Sequence, residues 1–150
     1  MRFPAVATTL TLALVSWGCA TLKAPSMQLE KLRVDKVNVT GMKLEVRFQV
    51  RNPNPEPLRV QNFEYEMKLN GRRLGRGYHP DPFELEGFGS RSVESSFDLN
   101  FLSVPSGVRQ VLERDRVRAE VRGNFYVWQA GSDGLRRLGF KSDAEVGLDR

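Results

Sequence analysis

Cysteine and histidine are almost absent from this 150-residue chain: there is one of each, Cys19 and His79. One cysteine excludes an internal disulfide framework, so the domain is held together by its core alone. One histidine excludes a multi-histidine metal site, and the neighbouring Asp81 is too little to complete one. A Ser-His-Asp triad could use only His79, in "GYHPDPF", and no GxSxG context presents a serine nucleophile. The chain lacks low-complexity tracts and internal repeats. It also lacks an apolar run of the roughly 20 residues that a membrane-spanning helix needs. The net charge of +5 is scattered among acids, as in "VLERDRVRAEVRG", and forms no continuous basic stripe in the sequence, which argues against nucleic acid as a partner.

What is present begins with an N-terminal signal. "MRFPAVATTLTLALVSWGCATL" carries Arg2, an apolar run from Ala5 to Trp17, no acid, and then Gly18-Cys19. The run is short for a span and reads as a secretory signal. An apolar run ending in a small residue and cysteine resembles the bacterial lipoprotein signal, in which that cysteine is acylated and becomes the new N-terminus. Trp17 and the lone Arg2 depart from the best form of that signal. The expected organisation is a signal peptide over 1–18, lipidated Cys19 with a tether to residue 28, and one domain over 29–150. The membrane is then a partner through acylated Cys19. Ala20 occupies the position where an aspartate would favour retention in an inner membrane, so the expected location is the outer membrane facing the periplasm, if the source has two membranes. Nine extended tether residues would reach about 30 Å.

The rest of the chain alternates. In "KLEVRFQVR", Leu44, Val46, Phe48 and Val50 fall on one face and Lys43, Glu45, Arg47, Gln49 and Arg51 on the other, the pattern of a half-buried antiparallel strand. Runs around Val93–Phe101, Val117–Val127 and Phe140–Leu148 repeat it. Two strands change phase, between Val34 and Val37 and between Val60 and Phe63, which predicts bulges near Asp35-Lys36 and Gln61-Asn62. Asn70-Gly71 and Asp133-Gly134 signal hairpins. A single helix is expected in "SVPSGVRQVLERD", capped by Ser103 or Ser106, with Pro105 in its first turn and Val104, Val108, Val111 and Leu112 on its apolar face. About seven strands with one short helix predict an antiparallel β-sandwich.

The segment "RNPNPEPLRV" interrupts the strands with Pro53, Pro55 and Pro57. Proline lacks the ladder donor and pushes its predecessor into extended geometry, so this segment leaves hydrogen bonding while staying nearly straight. It is expected to cross between sheets at one end of the sandwich, with Asn52 and Asn54 bonding nearby backbone.

A strand ending in "RNPNPEPLRVQNFEYEMKLNGRRLGRG", then "FELEGFGSRSVESSFDLNF", a short helix and "VRAEVRGNFYV" resembles the late-embryogenesis-abundant type 2 family, also called the water stress and hypersensitive response domain. The resemblance covers about residues 29 to 148. It implies an immunoglobulin- or fibronectin-III-like sandwich, an association with desiccation and other stress, and frequent occurrence behind a bacterial lipoprotein signal. The family has no agreed catalytic residues, so the resemblance implies a non-enzymatic protein, with no cofactor and no metal. Asn52, Pro53, Asn54 and Pro55 match its motif and are read as structural. Tyr126 and Trp128, on the nominally outer face of their strand, are candidate contact residues for a protein or lipid surface; the bland alternative is that they cover a sheet end or pack under the tether.

Overall fold

The computed structural model describes residues 21–102, 107–128 and 133–150. The signal segment, Cys19, and the expected helix residues Ser103, Val104, Pro105 and Ser106 lie outside them. Strands make up about 70% of the described residues. In chain order they are β1 (Ser26–Val37), β2 (Gly41–Arg51), β3 (Leu58–Leu69), β4 (Arg72–His79), β5 (Phe83–Leu85), β6 (Ser90–Asn100), β7 (Arg116–Trp128) and β8 (Leu135–Asp149), with helix α1 (Val108–Leu112) between β6 and β7.

Period-two alternation becomes an inside and an outside. Leu44, Val46, Phe48 and Val50 of β2 are all buried, as are Val117, Ala119, Val121, Phe125 and Val127 of β7. Both expected phase changes are register shifts: one between Val34 and Lys36 against β2, one between Val60 and Asn62 against β7. A further shift near Glu30 in β1, between Leu29 and Lys31, coincides with a third break in phase, where Met27 and Leu29 are followed by Leu32. Asn70 (φ 47°) and Gly71 (φ 78°) both take positive φ between the paired residues Leu69 and Arg72, the geometry of a tight primed turn. The second hairpin is wider than its Asp-Gly signal suggests. Trp128 pairs with Leu135, which leaves residues 129–134 between the strands. The helix follows Gly107 (φ 94°) and buries Val108, Val111 and Leu112.

The ladder order is β4-β3-β7-β8-β1-β2-β6, with β5 on β3. This all-β architecture does not confirm the expected immunoglobulin- or fibronectin-like sandwich. A short parallel joint, Leu32 with Leu148 and Arg33 with Asp149, links the β1–β2–β6 layer to the β4–β3–β7–β8 layer. The physical reason lies in β1: its two irregularities bend and twist the strand, so that its middle reaches β8 while both ends stay on β2. On the opposite side β4 and β6 approach without laddering. Gly75 faces Phe97 and Leu99 so closely that an added Cβ would sit 3.9 and 3.8 Å from their side chains. Tyr65 in β3 donates a buried hydrogen bond to Ser95 Oγ in β6 at 3.0 Å. The result is a nearly closed, barrel-like sheet.

The interior is aromatic at one end. Phe48 meets Tyr65 edge-on at 5.1 Å, and Phe63 meets Phe125 at 5.6 Å and Phe83 at 6.3 Å. His79 is the last residue of β4, stacked on Phe63 at 4.9 Å, and so belongs to the rim of the core and not to a loop.

Candidate functional site

The proline segment does cross between layers. β2 ends at Arg51 and β3 starts at Leu58, so "NPNPEP" carries the chain from one layer to the other. Asn52 is fully buried and Asn54 nearly so. Asn52 donates its side-chain amide to the carbonyls of Glu56 (2.8 Å) and Glu86 (3.1 Å), and its backbone N–H to that of Gly89 (2.8 Å). Asn54 then captures the incoming chain. Lys23 N–H donates to Asn54 Oδ1 at 2.9 Å, and Asn54 Nδ2 donates to the Lys23 carbonyl at 2.8 Å. Phe88 N–H donates to the Asn54 carbonyl, closing the loop before β6 onto the same motif. Three segments far apart in sequence therefore meet on two buried asparagines, while Pro53 and Pro55 contribute no backbone donor and hold the crossing extended. The sequence anticipated the local bonds but not the capture of Lys23. Residues 26–28, read in the sequence as tether, are strand, and Met27 is buried.

Tyr126 and Trp128 lie on the outer face of the β4–β3–β7–β8 layer. Trp128 is 41% exposed and pairs across strands with Arg59 and Leu135. The Tyr126 hydroxyl donates to Glu64 at 3.0 Å, a bond to a carboxylate that pushes the phenol pKa up. Beside them a groove of about 890 Å³ runs across the four strands, lined in part by Arg76, Tyr78, Arg122, Asn124, Arg137 and Lys141. Its two carboxylates are both engaged. Glu66, 16% exposed, has Arg122 at 2.9 Å and Arg73 at 3.2 Å, with Arg76 farther away at 3.9 Å. The Arg122 hydrogen bond is the main reason its carboxyl sits below the usual range. Glu64 accepts from Tyr126 and from Asn124 Nδ2 (3.2 Å). The groove thus presents cations, amides and aromatic rims.

On the opposite face of the barrel three cations are paired. Arg33 bonds Glu45, Arg47 bonds Glu94, and Lys31 meets Asp149 at 2.6 Å. Charges that are scattered in sequence are therefore sorted by the fold: β3, β4, β7 and β8 bring Arg73, Arg76, Arg122, Arg137 and Lys141 around two acids. The linear sequence could not show this patch, because its members come from four strands.

Groups suited to catalysis are not brought together. His79 is half-buried against Phe63 and Phe83, and burial holds its pKa below the ordinary value. Among the described residues no three His, Cys, Asp or Glu side chains converge as a metal site, and no helix is long and apolar enough to cross a membrane.

An all-β barrel with one short helix and an Asn-Pro-Asn-Pro crossing defines the class. Residues 47–141 match the family model described as late embryogenesis abundant protein (LEA_2), and the chain belongs to that family. The solution structure of AT1g01470 from Arabidopsis thaliana has a similar fold, with a TM-score of 0.63 and 18% identity over 97% of this chain and 89% of that one. A second solution structure, of the late embryogenesis abundant protein At2g46140.1, aligns with a TM-score of 0.52 and 17% identity over 89% and 76% of the respective chains. No curated protein matches the chain.

Proposed function

We propose that the protein is a non-enzymatic, lipid-anchored envelope protein of a bacterium, whose LEA type 2 domain protects membrane or protein surfaces during desiccation or related stress. The observation that carries this reading is the family match over residues 47–141, behind an apolar run that ends in Gly18-Cys19. Two acyl chains hold a protein on a bilayer where one holds only marginally, so a multiply acylated Cys19 would keep the domain at the membrane permanently. The location that follows is the cell envelope, and, if the source has two membranes, the outer one facing the periplasm. The absence of a reacting constellation in the groove, where both carboxylates are tied to donors, supports a binding or shielding role over catalysis. The test is deletion of the gene followed by drying. Survival should fall, and should be restored by the wild-type gene but not by Cys19→Ser. Unchanged survival of the deletion strain overturns the protective role.

A second reading, an interaction module for one envelope protein or lipid, is favoured by the basic groove with Tyr126 and Trp128 beside it. Cross-linking in cells separates the two. A stoichiometric partner lost on Trp128→Ala supports the module, and diffuse contacts support general shielding.

A further inference from the structure

The Asn52/Asn54 clamp fixes which end of the barrel faces a membrane. Lys23 is held there by two hydrogen bonds, and it follows Cys19 by only four chain steps. At full extension they reach about 14 Å, so an anchor at Cys19 would keep the clamp end against the bilayer.

The basic layer starts at that end too. β3 begins at Leu58, directly after the crossing, and its second residue, Arg59, pairs with Trp128, which in turn pairs with Leu135. Trp128 and Leu135 are 41% and 46% exposed, an aromatic and an aliphatic side by side. Above them come Arg137, opposite Tyr126, and Lys141, opposite Arg122. Among the described residues, Arg59, Arg137 and Lys141 have no carboxylate within 4 Å, whereas Arg116, Arg118 and Arg122 of the same face are paired with Glu145, Asp143 and Glu66. The other exposed apolar set, Val37, Val39 and Leu102, is at the far end of the barrel, away from the entering chain.

We propose that the outer face of the β4–β3–β7–β8 layer lies on a bilayer that carries anionic phosphate headgroups, with Trp128 and Leu135 at headgroup level and Arg59, Arg137 and Lys141 on the phosphates. The proposal rests on the membrane-anchored reading of the N-terminus and adds which face is turned to the lipid and what lipid chemistry it takes. Tryptophan favours the headgroup region because its ring is apolar and its N–H is not. Clustered cations next to a membrane attachment point are drawn to anionic lipid, an attraction that salt screens.

The test uses the chain from Cys19, in which Trp128 is the sole tryptophan, coupled through that cysteine to a maleimide lipid in nanodiscs of phosphatidylcholine with or without phosphatidylglycerol. Headgroup-nitroxide lipid then quenches Trp128 fluorescence. The expected result is quenching severalfold stronger in anionic discs, reduced to the neutral level by about 0.5 M NaCl and by the double variant Arg137→Glu/Lys141→Glu. Both substituted side chains are on the surface and make no ion pair, so an unchanged urea midpoint verifies the fold. Equal quenching in both kinds of disc, none in either, or no effect of the double variant overturns the proposal. Quenching no stronger in anionic than in neutral discs, while the chain binds micromolar inorganic polyphosphate, also overturns it, in favour of a soluble polyanion as the ligand. The maleimide lipid retains the chain in the disc whether or not cells acylate it, so failure of this face is distinguishable from failure of Cys19 acylation, which is read by mass.

Discussion

Asn52 Oδ1 accepts two hydrogen bonds from Asn54, one from its backbone N–H and one from its side-chain Nδ2, each 2.9 Å long. This pairing turns a proline-rich crossing into a rigid clamp, because it orients both amides toward carbonyls on other segments. The repeated Asn-Pro is a spacing device: it puts two buried amides two residues apart on a backbone that lacks the N–H groups of Pro53 and Pro55.

Asn52→Ala should lower stability strongly. The carbonyl of Glu56 and the backbone N–H of Asn54 lose their partner together, while the Glu86 carbonyl keeps Gly89 N–H, and a buried polar group left unpaired costs about 1–3 kcal/mol. Asn54→Ala should cost less and act locally, releasing Lys23. Urea unfolding separates the magnitudes, and limited proteolysis near residues 21–25 should be faster in Asn54→Ala alone among variants of equal stability.

Two glycines of the same sheet should respond with opposite signs to alanine. A Cβ on Gly123 would overlap the Glu64 carbonyl oxygen and press on Phe140, so Gly123→Ala should destabilise by roughly 1–3 kcal/mol through overpacking. At Gly75 the nearest atoms are 3.8 and 3.9 Å from the added carbon, an ordinary contact. Gly75→Ala should be neutral or stabilising by up to about 1 kcal/mol, since alanine has less chain entropy to lose. Thermal melts of the two variants check the pair.

Acid should weaken the fold through His79. Burial, the largest cause, depresses its folded pKa below the ordinary value of about 6.5, partly offset by Asp81. The unfolded imidazole therefore binds its proton first, so stability is whole above about pH 6.5 and falls as pH drops from there through the folded value. Denaturation at pH 7 and 5.5 should show a loss in the wild type that is absent in His79→Phe, whose ring can keep the stack on Phe63.

Alkali should act through Tyr65, whose burial pushes its phenol up to about 12 against the opposing hydrogen bond with Ser95. The unfolded phenol ionises near 10, so the contribution of this group is intact below about pH 10 and is lost toward 12 at up to about 1.4 kcal/mol per unit. Tyr65→Phe should be less stable at neutral pH, having broken the bridge between β3 and β6, yet show a flatter decline between pH 10 and 12.

Much of this fold was legible because a half-buried strand writes its two faces into alternating residues. Val34 and Val37, or Val60 and Phe63, reveal a bulge as a break in phase, and Asn70-Gly71 reveals a turn by its tolerance of positive φ. The near closure of the barrel was not legible. It depends on a joint of Leu32 and Arg33 with Leu148 and Asp149 and on Gly75 meeting β6, contacts between residues that alternation places inside without saying against whom. The bend near Glu30 leaves the same mark as the other two: Leu29 and Leu32 are buried with Glu30 and Lys31 exposed between them, a break in phase that the sequence carries. The candidate site divides the same way. Asn52 and Asn54 were visible as bonding residues beside prolines, whereas Lys23 as their guest is a contact across 31 residues. The basic groove was missed because Glu66 meets its arginines from two other strands, and charges mixed along the chain are unmixed only when the sheet assembles.

The account depends most on attachment of the clamp end to a membrane through Cys19. Intact mass of the protein extracted from its native membranes tests this most directly. The predicted result is a chain starting at Cys19 and heavier than its sequence by two or three fatty acyl groups, with the added mass confined to the N-terminal peptide. A chain with an unmodified cysteine, or one that starts elsewhere and leaves the membrane without detergent, would contradict it.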